Sequence, residues 1–194
     1  MKLRDFMNIR TGLPLSRKQT TADKAQHTYT VLTLKAMDND GVINTDFTEP
    51  CFTAEPLKSE YFTKAGDVLI RLSAPYTATV ITEGKENLLV SQHFSIIRNK
   101  EMGVNPHFLR WWLTQNRKRF YQSASGATHM GTISSGYIAE LIFEPPPFEI
   151  QVKIGSLLEL ATRERELLAR LSESREKLIN ATLNKIVNNG GKNL

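Results

Sequence analysis

A long, uninterrupted helical pattern near the C-terminal end constrains this chain more than any other feature of its sequence. Three consecutive prolines, 145–147, cannot donate to a sheet ladder but are tolerated just ahead of a helix. From Ile150 to Val187 there is no proline and a single glycine, and apolar residues recur with the 3.6-residue period of an amphipathic helix. Such a helix would be roughly 57 Å long. We therefore predict a spacer or dimerisation helix; the alternative is a tail helix folded back over its own domain.

Length and composition narrow the class of protein further. At 194 residues the chain is one domain with an appendage, or at most two small domains. Cys51 is its single cysteine, which excludes a disulfide framework or a cysteine-based zinc site. Neither a membrane span nor the apolar core of a signal peptide is found, so we expect a cytoplasmic protein with no membrane contact. The net charge of +5 mildly favours a polyanionic partner.

Short apolar and β-branched segments follow one another irregularly before the prolines. Three of them predict strands, over residues 29–35, 68–71 and 77–81, and a fourth, 88–98, predicts a strand pair or one long bent strand. Asn105 followed by Pro106 predicts a capped helix that continues to Gln122. The irregular order of strands and helices favours the α+β class over a doubly wound sheet. We expect a mixed α/β globular domain followed by one long helix. We place the globular domain at 1–147, the long helix at 148–188 and a flexible tail at 189–194.

Motifs of catalysis are missing from the sequence. The glycine-containing segment 126–136 lacks the Gly-Lys-Ser/Thr ending of a phosphate-binding loop, and neither a nucleophile elbow nor a His-Glu-x-x-His zinc motif occurs. The four histidines are scattered along the chain. We therefore predict a protein that is not an enzyme and that uses neither a cofactor nor a metal.

Several segments, taken in order, resemble one known family. They are residues 64–73 (KAGDVLIRLS), 105–113 (NPHFLRWWL), 125–128 (SGAT), 133–138 (ISSGYI) and 141–154 (LIFEPPPFEIQVKI). Together these segments are similar to the DNA specificity subunits of type I restriction–modification enzymes, over a span from about Gly12 to about Val187. The junction before the long helix departs from the family pattern, because Phe143-Glu144 replaces the usual Ile-Pro and Ile150 separates the usual Glu-Gln pair.

This resemblance implies a function as a recognition subunit. In that family a globular domain recognises a few base pairs of double-stranded DNA through the major groove, and two such domains are held apart by antiparallel helices. Methyltransferase subunits dock on the assembly, and the restriction subunit joins through them. One recognition domain and one helix imply a half-subunit, which would form a homodimer through an antiparallel coiled coil and bind a palindromic split target.

Candidate contact residues follow from the chemistry of DNA recognition, in which arginine pairs with guanine, glutamine or asparagine with adenine, and basic side chains with phosphate. The candidates for base recognition are Arg71, Ser73, Tyr76, Gln92, His93, Thr128 and His129. The candidates for phosphate contact are Arg17, Lys18, Arg117, Lys118 and Arg119. The candidates for dimer contact are Ile154, Leu157, Leu168, Leu171 and Leu178.

Plainer interpretations remain open for these residues. Tyr76 is also explained as a core residue, and Gln92 and His93 as the polar face of a half-buried strand. Basic runs are commonly solvated, and a basic run that ends a helix is favoured by its dipole. The alternative function is a stand-alone DNA-binding or coiled-coil interaction module without restriction–modification partners.

Overall fold

The computed structural model describes residues 1–100, 103–125 and 131–190. The chain divides into two compact units, Met1–Gly155 and Ser156–Leu194. Among the described residues, the first unit contains both β-sheets, four α-helices and the first turns of the long helix, and the second contains the remainder of that helix. The strands are β1 Met7–Thr11, β2 His27–Leu32, β3 Glu49–Thr53, β4 Val68–Arg71, β5 Ala78–Val80, β6 Leu89–Val90 and β7 Phe94–Asn99. The helices are α1 Leu3–Phe6, α2 Pro106–Gln115, α3 Arg117–Ser125, α4 Ser135–Ala139 and α5 Phe148–Gly190.

Two sheets form the framework of the first unit. The larger sheet is antiparallel throughout, with strand order β1-β7-β4-β5. The smaller sheet has the order β3-β2-β6, in which β2 is antiparallel to β3 and parallel to β6. A three-residue turn, Ser91–His93, joins β6 of the smaller sheet directly to β7 of the larger one. The segment predicted as a strand pair or one bent strand is therefore two short strands, each in a different sheet.

Strand β4 shows why the larger sheet is central to the core. Val68 and Ile70 face one side, where they join a cluster that includes Phe108 of α2. Leu69 faces the other side and packs in a second cluster with Ile96. Successive side chains of a strand point to opposite faces, so a continuous apolar run is the pattern of a strand that is covered on both faces.

The predicted α2 helix ends earlier than expected. Its start is as predicted, since the Asn105 side chain accepts hydrogen bonds from the backbone N–H groups of the first turn and Pro106 follows it. The prediction of one helix to Gln122 is wrong, because α2 ends at Gln115 and α3 begins at Arg117. Asn116 separates them and donates from its side chain to Trp112 O at 2.9 Å. The basic run 117–119 therefore begins a helix, where the helix dipole gives it no support.

Helix α5 runs for 43 residues, Phe148–Gly190. The predicted α+β class with one long C-terminal helix is confirmed. Within the described part of the chain, no helix combines the length and the apolarity that crossing a bilayer requires.

Candidate DNA-recognition surface

One end of the larger sheet gathers polar side chains from several parts of the sequence. Arg71, the last residue of β4, is opposite Phe94, the first residue of β7. The backbone N–H of Leu72 donates to His93 O at 2.9 Å. Arg71 therefore lies at the same end of the sheet as Gln92 and His93, which are distant from it in sequence. We call this end the strand-end surface and define it by Arg71, Ser73, Gln92 and His93.

Gln92 and His93 are exposed at the tip of the turn between β6 and β7. The backbone of this turn is held on both sides, because Gln92 N donates to Leu13 O at 2.9 Å and His93 O accepts from Leu72. Gly12 permits this approach, since a Cβ there would overlap the carbonyl oxygens of Val90 and Ser91. Among the residues that the structure describes, the side chains of Gln92 and His93 make no hydrogen bond. The turn therefore presents two free polar side chains on a fixed backbone.

A groove lies beside this turn and has a volume of about 420 Å³. Its apolar lining comes from Leu15, Val31 and Leu34. Its polar lining consists of Ser16, Thr33, Lys35, Glu49, Ser91, Gln92 and His93. A concave site of this volume that brings polar groups together is a usual form of a ligand-binding site.

Arg71 contacts a residue of the groove wall but is not itself one of the lining residues. The side chain is half-buried and donates from its terminal nitrogen to Leu34 O at 2.7 Å. Burial lowers the pKa of the guanidinium, and the nearby carboxylate of Asp38 partly opposes that effect. Because Leu34 lines the groove, Arg71 holds part of the groove wall in place. The structure thus gives Arg71 a positioning contact within the protein.

Tyr76 lies in the core, which agrees with the plainer interpretation of this residue. Its side chain is 1% exposed and contacts the rings of Phe120 and Tyr121 edge-on. The hydroxyl donates to Gly131 O at 2.6 Å, and burial raises the pKa of the phenol. Tyr76 also has a φ of 54°, in the left-handed region that non-glycine residues seldom occupy. Its role in this structure is to anchor the segment that begins at Gly131.

Ser73 lies beside that same segment. It forms an antiparallel bridge with Thr132, and Ile133 N donates to Leu72 O at 2.8 Å. Ser135, two residues further on, is hydrogen-bonded through its hydroxyl to that of Thr11 at 2.7 Å. The other two candidates in this part of the chain, Thr128 and His129, lie outside the described residues.

The phosphate candidates occupy two separate elements. Arg17 is exposed and ends a short 3₁₀ helix, Leu15–Arg17, whose Leu15 and Ser16 line the groove. Lys18 is also exposed and lies 3.5 Å from a carboxylate oxygen of Glu55. The second group is at the start of α3, where Lys118 and Arg119 are exposed and Arg117 is half-buried.

The dimer candidates differ in their surroundings. Ile154 is half-buried and packs against the core of the first unit. The other four belong to the second unit, where they are 50% to 68% exposed: Leu157, Leu168, Leu171 and Leu178. Of the five candidates, these four present exposed apolar surface, as do other residues of the helix such as Leu160 and Ile179.

Five polar residues of the groove were not among the sequence-based candidates: Ser16, Thr33, Lys35, Glu49 and Ser91. Each is of a common residue type in an unremarkable sequence context, and the five come from four different segments. They become a group only when β6 pairs with β2 and β2 pairs with β3. No local signal in the sequence marks them.

The comparisons with known proteins agree with this architecture. The model of the family described as "Type I restriction modification DNA specificity domain" matches residues 1–174. The chain therefore belongs to that family. No curated protein shows significant sequence similarity to it.

Solved structures show the same fold. The HsdS subunit from Thermoanaerobacter tengcongensis superposes with a TM-score of 0.56 at 16% identity, covering 88% of this chain and 38% of that one. A chain from a study of complex assembly and conformational transition of the type I R-M system gives 0.59 at 16% identity, covering 88% and 39%. The type I restriction–modification S subunit from M. genitalium gives 0.57 at 14% identity, covering 92% and 43%. This chain thus spans about two fifths of the length of each of these proteins.

Proposed function

We propose that this chain is the sequence-specific DNA-binding subunit of a type I restriction–modification system and that it recognises half of a bipartite site without catalysing a reaction itself. The observation that carries the proposal is the family match over residues 1–174. The strand-end surface supports it, because this surface presents Gln92 and His93 on a fixed backbone beside a basic segment that contains Arg17 and Lys18. Base recognition needs such fixed polar groups, and affinity for DNA needs nearby basic ones.

Binding to random and selected duplexes tests this function. We expect the purified chain to enrich a defined sequence from a random duplex library. We also expect its affinity to fall steeply with salt, because each phosphate contact releases bound counterions. An affinity that is independent of both sequence and salt would contradict the proposal.

The partners and the domain roles belong to the same proposal. In it, residues 1–147 recognise DNA, residues 148–188 act as spacer and dimerisation helix, and residues 189–194 are a tail. The assembly recruits methyltransferase subunits and, through them, the restriction subunit. Purification of the tagged chain from its native cells, followed by mass spectrometry, should recover an adenine methyltransferase. If the chain is recovered alone under conditions that preserve a known type I complex, the recruiting role fails.

The homodimer is supported by the exposed apolar side chains of α5. An amphipathic helix that leaves leucines such as Leu168 and Leu171 in water is stabilised when those side chains pack against a second helix. We expect Leu171→Glu to convert a dimer to a monomer in sedimentation equilibrium. Ser172→Glu is the matched control, because it adds the same charge one position further along, about 100° around the helix. Equal dissociation by both variants would mean that the leucine stripe is not the interface.

A further inference from the structure

The groove beside the Ser91–His93 turn contains a polar group that the protein itself does not satisfy. Within the described residues the hydroxyl of Ser91 is buried and has no hydrogen-bond partner, and the residue is 4% exposed. Buried polar groups are nearly always paired in folded proteins, so an unpaired one needs an explanation. Ser91 also lines the groove. A polar ligand in the groove would satisfy this hydroxyl after rotation of the Ser91 side chain.

The charge of the groove favours bases over phosphates as the ligand. One cationic side chain, Lys35, and one anionic side chain, Glu49, line it. The groove is therefore close to neutral, although the whole chain has a net charge of +5. The carboxylate of Glu49 repels phosphate, but it accepts hydrogen bonds from the exocyclic amino groups of bases. The basic residues that suit the DNA backbone, Arg17 and Lys18, lie outside the groove.

The side-chain amide of Gln92 is the group of the groove whose hydrogen-bonding pattern matches one particular base. Its amide offers one donor and one acceptor side by side, and this pair matches N7 and the N6 amino group of adenine in the major groove. The amide is available, because it is exposed and makes no hydrogen bond within the described chain. The backbone that carries the amide is held in place, since Gln92 N donates to Leu13 O and His93 O accepts from Leu72 N. Fixing the backbone of a recognition residue in advance reduces the entropy that is lost on binding.

We propose that the groove between β2 and the Ser91–His93 turn recognises an adenine in the major groove of the target half-site, and that Gln92 makes the bidentate contact. Glu49 lies in the same groove as an acceptor for an exocyclic amino group, and Arg71 is a positioning residue that acts through Leu34. This proposal rests on the proposed DNA-recognition function and adds the identity of one recognised base.

The test replaces single atoms of the DNA and single residues of the protein together. A target duplex is first selected from a random library with the wild-type chain. Each adenine of the selected half-site is then replaced in turn by 7-deazaadenine, which lacks the N7 acceptor but keeps its base pairing. Dissociation constants are measured for the wild type, for Gln92→Leu and for the control Gln26→Leu, at a salt concentration low enough for all three to bind. Gln26 is an exposed glutamine that precedes β2, at the end of that strand away from the groove.

At one adenine we expect 7-deazaadenine to weaken binding of the wild type and of Gln26→Leu by roughly 5- to 150-fold. Binding of Gln92→Leu should be unaffected at that same position, because its leucine makes no hydrogen bond to N7. The subsite is overturned if Gln92→Leu loses the same factor as the wild type at every adenine, or if the selected half-site contains no adenine. A wild-type chain that selects no sequence at all overturns the DNA-recognition function itself, so the two failures are distinguishable.

Discussion

Replacement of Gly155 by alanine tests how the first turns of α5 are fixed to the first unit. A Cβ at this position would overlap Oδ1 of Asn105 and lie 2.9 Å from its Cγ. That oxygen is the cap of α2 and accepts from His107 N at 3.0 Å and Phe108 N at 3.1 Å. The backbone N–H of Asn105 is held as well, by Oε1 of the buried Gln151 at 3.0 Å. Asn105 therefore has no room to move without losing the cap.

The expected loss of stability follows from three contributions. Loss of an asparagine cap costs about 1 kcal/mol. Crowding in a packed site costs about 1–3 kcal/mol. Alanine offsets about 1 kcal/mol of this, because it has a higher helix propensity than glycine. We therefore expect Gly155→Ala to lower the free energy of unfolding by about 1–3 kcal/mol.

A second helical glycine provides the matched control. The nearest atom to a Cβ on Gly136 of α4 would be Ser134 Oγ, at an ordinary contact distance of 3.6 Å. Gly136→Ala should therefore raise the free energy of unfolding by about 0.4–1 kcal/mol, the usual gain where the backbone accepts alanine. The two substitutions are chemically identical and have opposite expected signs.

Urea denaturation, followed by circular dichroism and by the fluorescence of the two tryptophans of α2, measures these changes. The Asn105→Ala background isolates the contact, because alanine lacks the oxygen that the new methyl group meets. In that background Gly155→Ala should no longer destabilise the protein. If Gly155→Ala stabilises the protein with Asn105 intact, as Gly136→Ala is expected to, then the close packing of Gly155 on Asn105 is not a constraint.

Two further predictions concern ion pairs. Asp67, whose side chain is 2% exposed, accepts hydrogen bonds from Arg98 Nε at 2.7 Å and from a terminal nitrogen of Arg98 at 2.6 Å. Asp67→Asn leaves the Arg98 cation poorly paired, so it should lower the free energy of unfolding measured in urea by about 3–5 kcal/mol. A loss below about 1 kcal/mol would contradict this. A hydrogen bond from Lys2 holds the pKa of Glu140 below its usual 4.5. Because the folded-state pKa is the lower one, the pair stabilises the protein above pH 4.5 and its contribution is lost as pH falls through the folded-state pKa. The stability difference between wild type and Glu140→Gln should therefore disappear in acid, and a difference that persists unchanged there would refute this assignment.

Much of the fold could be predicted because its signals are local. The start of α2 depends on one side chain, Asn105, which bonds to N–H groups two and three residues away, so the sequence contains the whole interaction. The 3.6-residue period of α5 likewise needs no partner to be recognised. Strand β3 was missed for the opposite reason, since Glu49–Thr53 is short and contains Pro50, and its strand character comes from pairing with β2. Proline is acceptable there because β3 is an edge strand of its sheet.

The same distinction between local and long-range interactions applies to the candidate site. The residue type of Gln92 predicts pairing with adenine, because hydrogen-bonding capacity belongs to the side chain itself. The sequence by itself therefore determined the elements whose signals are local and the hydrogen-bonding groups that the chain contains. Tertiary structure decided which of these groups are free to act. Arg71 is engaged by Leu34 O, 37 positions away in sequence, and Tyr76 by Gly131 O, 55 positions away. Ser91 and Glu49 both come to line the groove only after β3 and β6 have paired with β2. Hydrogen bonds and burial between distant segments depend on the closure of long loops, and no periodicity or spacing in the sequence records which distant groups will meet.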